Sequence, residues 1–208
     1  MFHLKIDAAA GARKVWLTSD LHLLHKSISG PERSTWKSGF RNFKDEYEMT
    51  EHILNNINKH VGHDDILINL GDFVFKNHKC IPEMRGRIVC QEVHHIIGNH
   101  DTKIEQYADK FSSMSDIMAL NYHGNMFILC HYAMRVWHHM SKGVYHAYGH
   151  SHDSIDRHPN QPWGKSMDVG IDSAYRILGE YRPFDIKEVI KILSKRAEDP
   201  SSTIEEGL

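Results

Sequence analysis

Asp65-Ile66-Leu67-Ile68-Asn69-Leu70-Gly71-Asp72 decides how this chain is read. A short apolar run closed by a turn-forming Gly-Asp pair reads as a β-strand that stops abruptly at a carboxylate. Upstream, Val15-Trp16-Leu17-Thr18 reads as a second buried strand, and it ends in Asp20 and His22. Downstream, residues 93–97 read as a third, closed by Gly98-Asn99-His100-Asp101. Between the first two strands, residues 24–43 lack a steady apolar period and read as a loop. Residues 45–61 place Tyr47, Ile53, Leu54, Ile57 and Val61 on one helical face, with Gly62 as the stop. A short helix is expected near residues 81–85. Strand, polar terminus and helix in repetition is an α/β rhythm. Beyond Asp116 the runs shorten and become β-like, over 117–120, 126–130 and 144–148, and two of them end in Cys130-His131 and Gly149-His150-Ser151-His152. A last helix over 185–195 carries Ile186, Val189, Ile190 and Leu193 on one face, and a polar tail follows from residue 197.

The chain has 208 residues, 40% of them hydrophobic, enough for one sizeable core. A single domain spanning residues 1–208, with its core at about 14–195, is therefore expected. Twenty-five basic residues against 27 acidic ones leave no excess of the kind that dominates binding to long nucleic acid, so a small or locally read substrate is favoured. Cys80, Cys90 and Cys130 contain no CxxC pair, which argues against a disulfide framework or a zinc knuckle and for a reducing cytoplasm. No apolar segment of membrane-spanning length and no signal peptide are read.

Histidine is abundant, at 18 residues. Carboxylates at Asp20 and Asp72, the amide of Asn99 and imidazoles at His22, His131, His150 and His152 form a nitrogen and oxygen donor set without thiolate. That set suits manganese, iron, nickel or zinc better than calcium. Seven ligands exceed the needs of one ion. With Asp72 as a bridge, two ions would each receive four, at the ~3.5–4 Å separation of two-metal hydrolytic sites. Taken singly, Ser19-Asp20 reads equally well as a helix cap, Gly71-Asp72 as a turn and Asn99-His100-Asp101-Thr102 as a cap. Their joint occurrence in order favours the metal reading.

The pattern D-x-H, G-D, G-N-H-D, H and G-H-x-H, running from Asp20 to His152, resembles the calcineurin-like metallophosphoesterase superfamily. Asp168-Val169-Gly170-Ile171-Asp172 and Tyr181-Arg182-Pro183-Phe184 are similar to stretches of small bacterial and phage phosphoesterases. The resemblance implies a four-layer α/β/β/α sandwich of two mixed sheets flanked by helices. It also implies Asp20, His22, Asp72 and His152 on one divalent ion and Asp72, Asn99, His131 and His150 on the other, with manganese as the first candidate. A metal-bound hydroxide would attack a phosphomonoester or phosphodiester, nucleotides included. His100 would protonate the leaving oxygen, and Asp101 would orient His100. The alternatives are a nuclease, opposed by the balanced charge, and a catalytically inactive metal-binding scaffold, opposed by the complete ligand set.

One departure is visible: Leu23-Leu24 stands where such relatives often place an aromatic and a glycine. Outside the motifs, His52, His60, His63, His78, His94 and His95 are assigned to surface or core packing. His138 and His139 are candidates for a pocket wall or a solvated loop, and His25 for facing the site. Arg33, Arg41, Arg135 and Arg182 are loop arginines, able to hold a distal phosphate but expected to be solvated.

Overall fold

The computed structural model describes residues 1–6, 13–30, 41–158 and 164–196; Arg33 and the polar tail from residue 197 lie outside these. Two five-stranded sheets form. The first contains β1 (Phe2–Ile6), β6 (Ile117–Tyr122), β7 (Asn125–Cys130), β8 (Tyr145–Tyr148) and β9 (Ser166–Asp168), in the order β1-β6-β7-β8-β9. The second contains β2 (Val15–Thr18), β3 (Ile66–Asn69), β4 (Glu92–Ile96), β5 (Ser113–Ser115) and β10 (Phe184–Asp185), in the order β10-β2-β3-β4-β5. Each mixes parallel and antiparallel pairing: β2, β3, β4 and β5 run parallel, whereas β10 opposes β2 and β7 opposes β6. Helices α1 (Glu46–His60), α2 (Ile81–Gly86), α3 (Ile171–Leu178) and α4 (Ile186–Leu193) flank them. This is the expected α/β architecture. None of the described helices is long and apolar enough to cross a membrane.

The second sheet is buried on both faces, which is why its strands read as continuous apolar runs. Leu17, Ile66 and Ile68 meet Leu120, Phe127, Leu129 and Ala147 of the first sheet in a core closed by Ala174 of α3 and by Ile186, Val189 and Leu193 of α4. Trp16, Leu67 and Val93 face the other way, onto Ile53, Leu54 and Ile57 of α1 and Ile81 and Met84 of α2. Each such fully buried aliphatic side chain contributes roughly 1.5–3 kcal/mol.

Helix α1 begins because the Asp45 carboxylate accepts hydrogen bonds from the amides of Tyr47 and Glu48, with Glu46 and Glu48 in the first turn and Lys59 and His60 in the last. Its buried stripe runs through Met49, Ile53, Leu54 and Ile57, so Tyr47, expected on that face, is instead 66% exposed. The helix stops at Val61, one residue before Gly62. Among the described strands and α-helices, five were not anticipated: β5, β9, β10, helix α3 and β1, which pairs in parallel with β6. All four strands lie at the outer edges of their sheets, where one pairing partner suffices and apolar patterning is weak.

Parallel strands end on the same side. The carboxyl ends of β2, β3 and β4 therefore bring Asp20, Asp72 and Asn99 to one edge, and the parallel pair β7 and β8 brings His131 and His150 to the neighbouring one. Loop hydrogen bonds join the ends, from Asp20 N to Gly71 O at 3.0 Å, His22 N to Asp72 O at 3.0 Å and Gly149 N to His131 O at 3.0 Å.

Leu24, at φ 63°, holds a left-handed backbone conformation that costs an L-residue roughly 1–2 kcal/mol. A glycine there carries no such cost. Leu24→Gly is accordingly expected to change stability by less than about 1 kcal/mol, the relief offsetting the loss of a half-buried side chain, whereas Leu23→Gly, at a fully buried position, costs several kcal/mol. Chemical denaturation of the two variants checks this.

Candidate metal centre

The ligand candidates converge with strained backbones. Asp20 (φ 55°), His22 (φ 47°), Asp72 (φ 57°), His150 (φ 64°) and His152 (φ 47°) all occupy the left-handed region. Such strain concentrates at functional sites, because only a requirement for side-chain direction repays it. Close packing supports these turns. A β-carbon at Gly149 would collide with Ser19 Oγ and the Asp20 carboxylate, and one at Gly98 with Asp72, so neither position tolerates a side chain.

Two clusters of donor atoms result, Asp20 with His22 and His152, and Asp20 with Asp72 and His131, the atoms of each within 4.8 Å of one another. Asp72 Oδ2 reaches both, lying 3.4 Å from His22 Nε2 and 3.6 Å from His131 Nε2. Asn99 Oδ1 is 2.9 Å from His131 Nε2. His150 is the outermost: its ring lies edge-on to His131 at 5.2 Å between centroids, and its backbone amide donates to Asp20 Oδ2 at 2.9 Å. All seven expected ligands are thus gathered at one edge, five of them in the tight clusters.

Ring tautomers are set from behind. His131 Nδ1 donates to Leu70 O at 2.8 Å, and His152 Nδ1 donates to Asp172 Oδ2 at 2.7 Å, leaving each Nε2 lone pair directed at the cluster. Outer partners of this kind orient metal-binding imidazoles. Asp20 Oδ1 and both ring nitrogens of His22 are buried with no hydrogen-bond partner. Polar atoms so placed cost about 1–3 kcal/mol each unless something else satisfies them, and a cation does. The donor set and its orphaned atoms fit a divalent metal.

Charge within the cluster points the same way. Burial raises the Asp72 carboxyl to about 7, with Asp20 adding to the shift and His131 opposing it. His152 is raised above its ordinary value, its bond to Asp172 and the nearby Asp20 outweighing burial, while burial and neighbouring cations hold His22 well below the ordinary imidazole range. A divalent ion must displace the Asp72 proton to bind but meets a neutral His22. Apparent Mn2+ affinity is therefore expected to rise up to about tenfold per pH unit from pH 6 to 7, as Asp72 gives up its proton, and to level off above. Calorimetric titration across that range measures it.

His100 stands beside the clusters. Its ring is half-buried, 5.3 Å edge-on from His22 and 5.0 Å from Phe75, and burial lowers its pKa; its backbone amide donates to Asp72 Oδ1 at 2.8 Å. The Asp101 charge opposes that lowering, while its hydrogen bonds go elsewhere. Its carboxylate accepts from the backbone amides of Asp72 (2.8 Å), Phe73 (3.0 Å) and Gly98 (2.8 Å) and pairs with His95 Nε2 (2.9 Å). It ties the Asp72 turn to the Gly98 turn. His95, assigned to packing, is fully buried and is the partner that anchors Asp101.

The arginine expectation changes too. Arg41 is 1% exposed, and its guanidinium donates to Asp172 Oδ1 and Oδ2 (2.9 Å each), Asp20 O (2.6 Å) and Leu21 O (2.8 Å), with Met49 Sδ 3.9 Å away. No donor is left for a distal phosphate. Arg182 is committed to Glu188 through two bonds, at 2.9 and 2.8 Å. Arg135 is exposed and lines a cavity of about 570 Å³ with Met134, Tyr148 and Ile155. His138 and His139 are exposed; His25 is buried, stacks on Phe75 and lies 5.1 Å from the His22 ring, facing the site.

No functionally curated protein shows significant similarity to the chain. A solved structure of a protein of unknown function from Aquifex aeolicus shares the fold, with a TM-score of 0.61 at 16% identity, covering 86% of this chain and 99% of that one. The family model for calcineurin-like phosphoesterases matches residues 13–195, the span that holds both sheets' central strands and every ligand candidate. With its ligand candidates gathered at the strand ends that this family model covers, the chain belongs to the calcineurin-like phosphoesterase family.

Proposed function

We propose that this protein is a dinuclear metal-dependent phosphoesterase that hydrolyses a small phosphomonoester or phosphodiester, with nucleotides the first class to test. The observation that carries the reading is the set of buried, unpartnered donor atoms on Asp20 and His22, facing the lone pairs of two histidines whose tautomers are fixed from behind. Asp20, His22, Asp72 and His152 would hold one ion, and Asp72, Asn99, His131 and His150 the other. Manganese is the first candidate among manganese, iron, nickel and zinc. When bound, such ions lower the pKa of water and offset the charge of phosphoryl oxygens.

The chain's own groups supply the rest. Asn99 and His150 lie nearer the surface than the other ligands, so substrate oxygens approach from their side. His100, half-buried at that opening, holds a proton on its ring for the leaving oxygen as the phosphorus–oxygen bond breaks. The apolar Phe75 ring beside it limits the water that competes for that proton. The three cysteines are free and buried, which supports a reducing compartment such as the cytoplasm.

The test is hydrolysis of aryl phosphate mono- and diesters by protein of known metal content. Mn2+-dependent turnover of at least one class, lost on chelation and restored by Mn2+, is expected. Fully loaded protein that cleaves neither class would overturn the proposal.

A further inference from the structure

Arg41 and Asp172 belong to no ligand motif, yet they form a closed polar unit behind one half of the cluster. Asp172 Oδ2 accepts both from Arg41 Nη2 at 2.9 Å and from His152 Nδ1 at 2.7 Å, while Asp172 Oδ1 accepts from Arg41 Nε at 2.9 Å. The same guanidinium bonds the carbonyls of Asp20 and Leu21, which belong to the two peptide links that join Asp20 to His22. Arg41 is itself held by backbone pairing of the loop stem, Arg41 N to Ile28 O at 2.8 Å and Gly30 N to Arg41 O at 2.7 Å.

We propose that Arg41 and Asp172 are positioning residues for the Asp20/His22/His152 half of the centre, so that the stem of the loop after β2 is a working part of the metal site. Three physical effects act together. Asp172 keeps the His152 proton on Nδ1 and strengthens Nε2 as a donor. The two Arg41 bonds to carbonyls hold the left-handed turn at Asp20 (φ 55°) and His22 (φ 47°) against its tendency to relax. The Arg41 charge balances Asp172, so the outer carboxylate adds no net charge behind a site that already carries Asp20 and Asp72. The planar fork matters because lysine, a single point of donation, cannot bond Asp172 at two oxygens and two carbonyls at once.

The inference rests on the dinuclear reading above, and the experiment separates the two. Mn2+ binding is measured by equilibrium dialysis and electron paramagnetic resonance on the wild type, Asp172→Asn and Arg41→Lys, together with the melting temperature of each chelated protein. In the variants, affinity for one ion is expected to fall about 10- to 100-fold while the other ion binds as in the wild type. Independently of metal, the proton NMR signal of His152 Nδ1–H in the chelated protein is expected to shift or vanish in Asp172→Asn. Variants that bind both ions like the wild type overturn the clamp. Equal loss at both ions, in step with a lowered melting temperature of the chelated form, also overturns it, because a general structural role would act that way. A wild type that binds no ion overturns the dinuclear reading and the clamp with it. Asp172→Asn is nearly isosteric, so it decides the matter alone if Arg41→Lys does not fold.

Discussion

Asp72→Asn is expected to remove turnover and, at the same time, to make the metal-free protein more stable. The loss of activity follows from the position of Asp72 Oδ2 between His22 Nε2 (3.4 Å) and His131 Nε2 (3.6 Å), where it reaches both histidine groups. Losing several kcal/mol of charge stabilisation corresponds to a rate reduction of roughly 10³-fold or more. The gain in stability follows from linkage. Burial and Asp20 raise the folded-state carboxyl to about 7, against an ordinary value of 3.8. A raised folded pKa means that the contribution of this group is fully present below the unfolded value and is lost as pH rises through about 7. At pH 8 without metal the ionised carboxylate therefore costs on the order of a few kcal/mol, and a neutral amide of the same shape does not pay it. Thermal melts in chelator at pH 8 should place Asp72→Asn above the wild type, with the difference closing toward pH 4. With Mn2+ added, the order should reverse. A metal-free variant less stable than the wild type at pH 8 would show that the carboxylate is satisfied by the protein alone and is not waiting for a cation.

His100→Ala is expected to lower kcat by about 10²–10⁴-fold for esters of alkyl alcohols while leaving Mn2+ binding close to the wild type. The separation is possible because His100 contributes to the cluster through its backbone, donating to Asp72 Oδ1 at 2.8 Å, and alanine keeps that bond. Only the ring is lost. A nitrophenolate departs without a proton, so 4-nitrophenyl phosphate should suffer far less than an alkyl phosphate, and a plot of log kcat against leaving-group pKa should steepen in the variant. Equal loss on both substrates would move His100 from proton transfer to substrate binding. Asp101→Asn separates from it in kind: with four partners shared between the Asp72 and Gly98 turns, Asp101 acts on the shape of the site as well as, through its charge, on the His100 ring.

What could be read from the chain, and what could not, divides by the range of the interactions involved. Strands β2, β3 and β4 are apolar because they are buried on both faces, and burial of that kind is written locally; so are the turn residues that close them. The convergence of the candidate ligands was legible for the same reason, since each donor sits within a few residues of a strand end. Arg41 was not. Its environment depends on Asp172, 131 positions away, and no local pattern distinguishes a fully buried arginine from a solvated one until that pairing exists. Asp101 reads in sequence as a partner of its neighbour His100, but the turn folds back and delivers its carboxylate to the amides of Asp72 and Phe73, near 30 residues upstream, with distances of 2.8 and 3.0 Å. Tyr47 fits a helical stripe by count alone; the turn around Asp45 places it on the solvent side of α1.

The proposed dinuclear centre is tested most directly by the Mn2+ stoichiometry and low-temperature electron paramagnetic resonance spectrum of the wild-type chain at pH 8. The expected result is two ions per chain with the signal of an exchange-coupled pair, as Asp72 would give if it holds both ions. One ion per chain with an isolated six-line signal, or no binding at all, would contradict it.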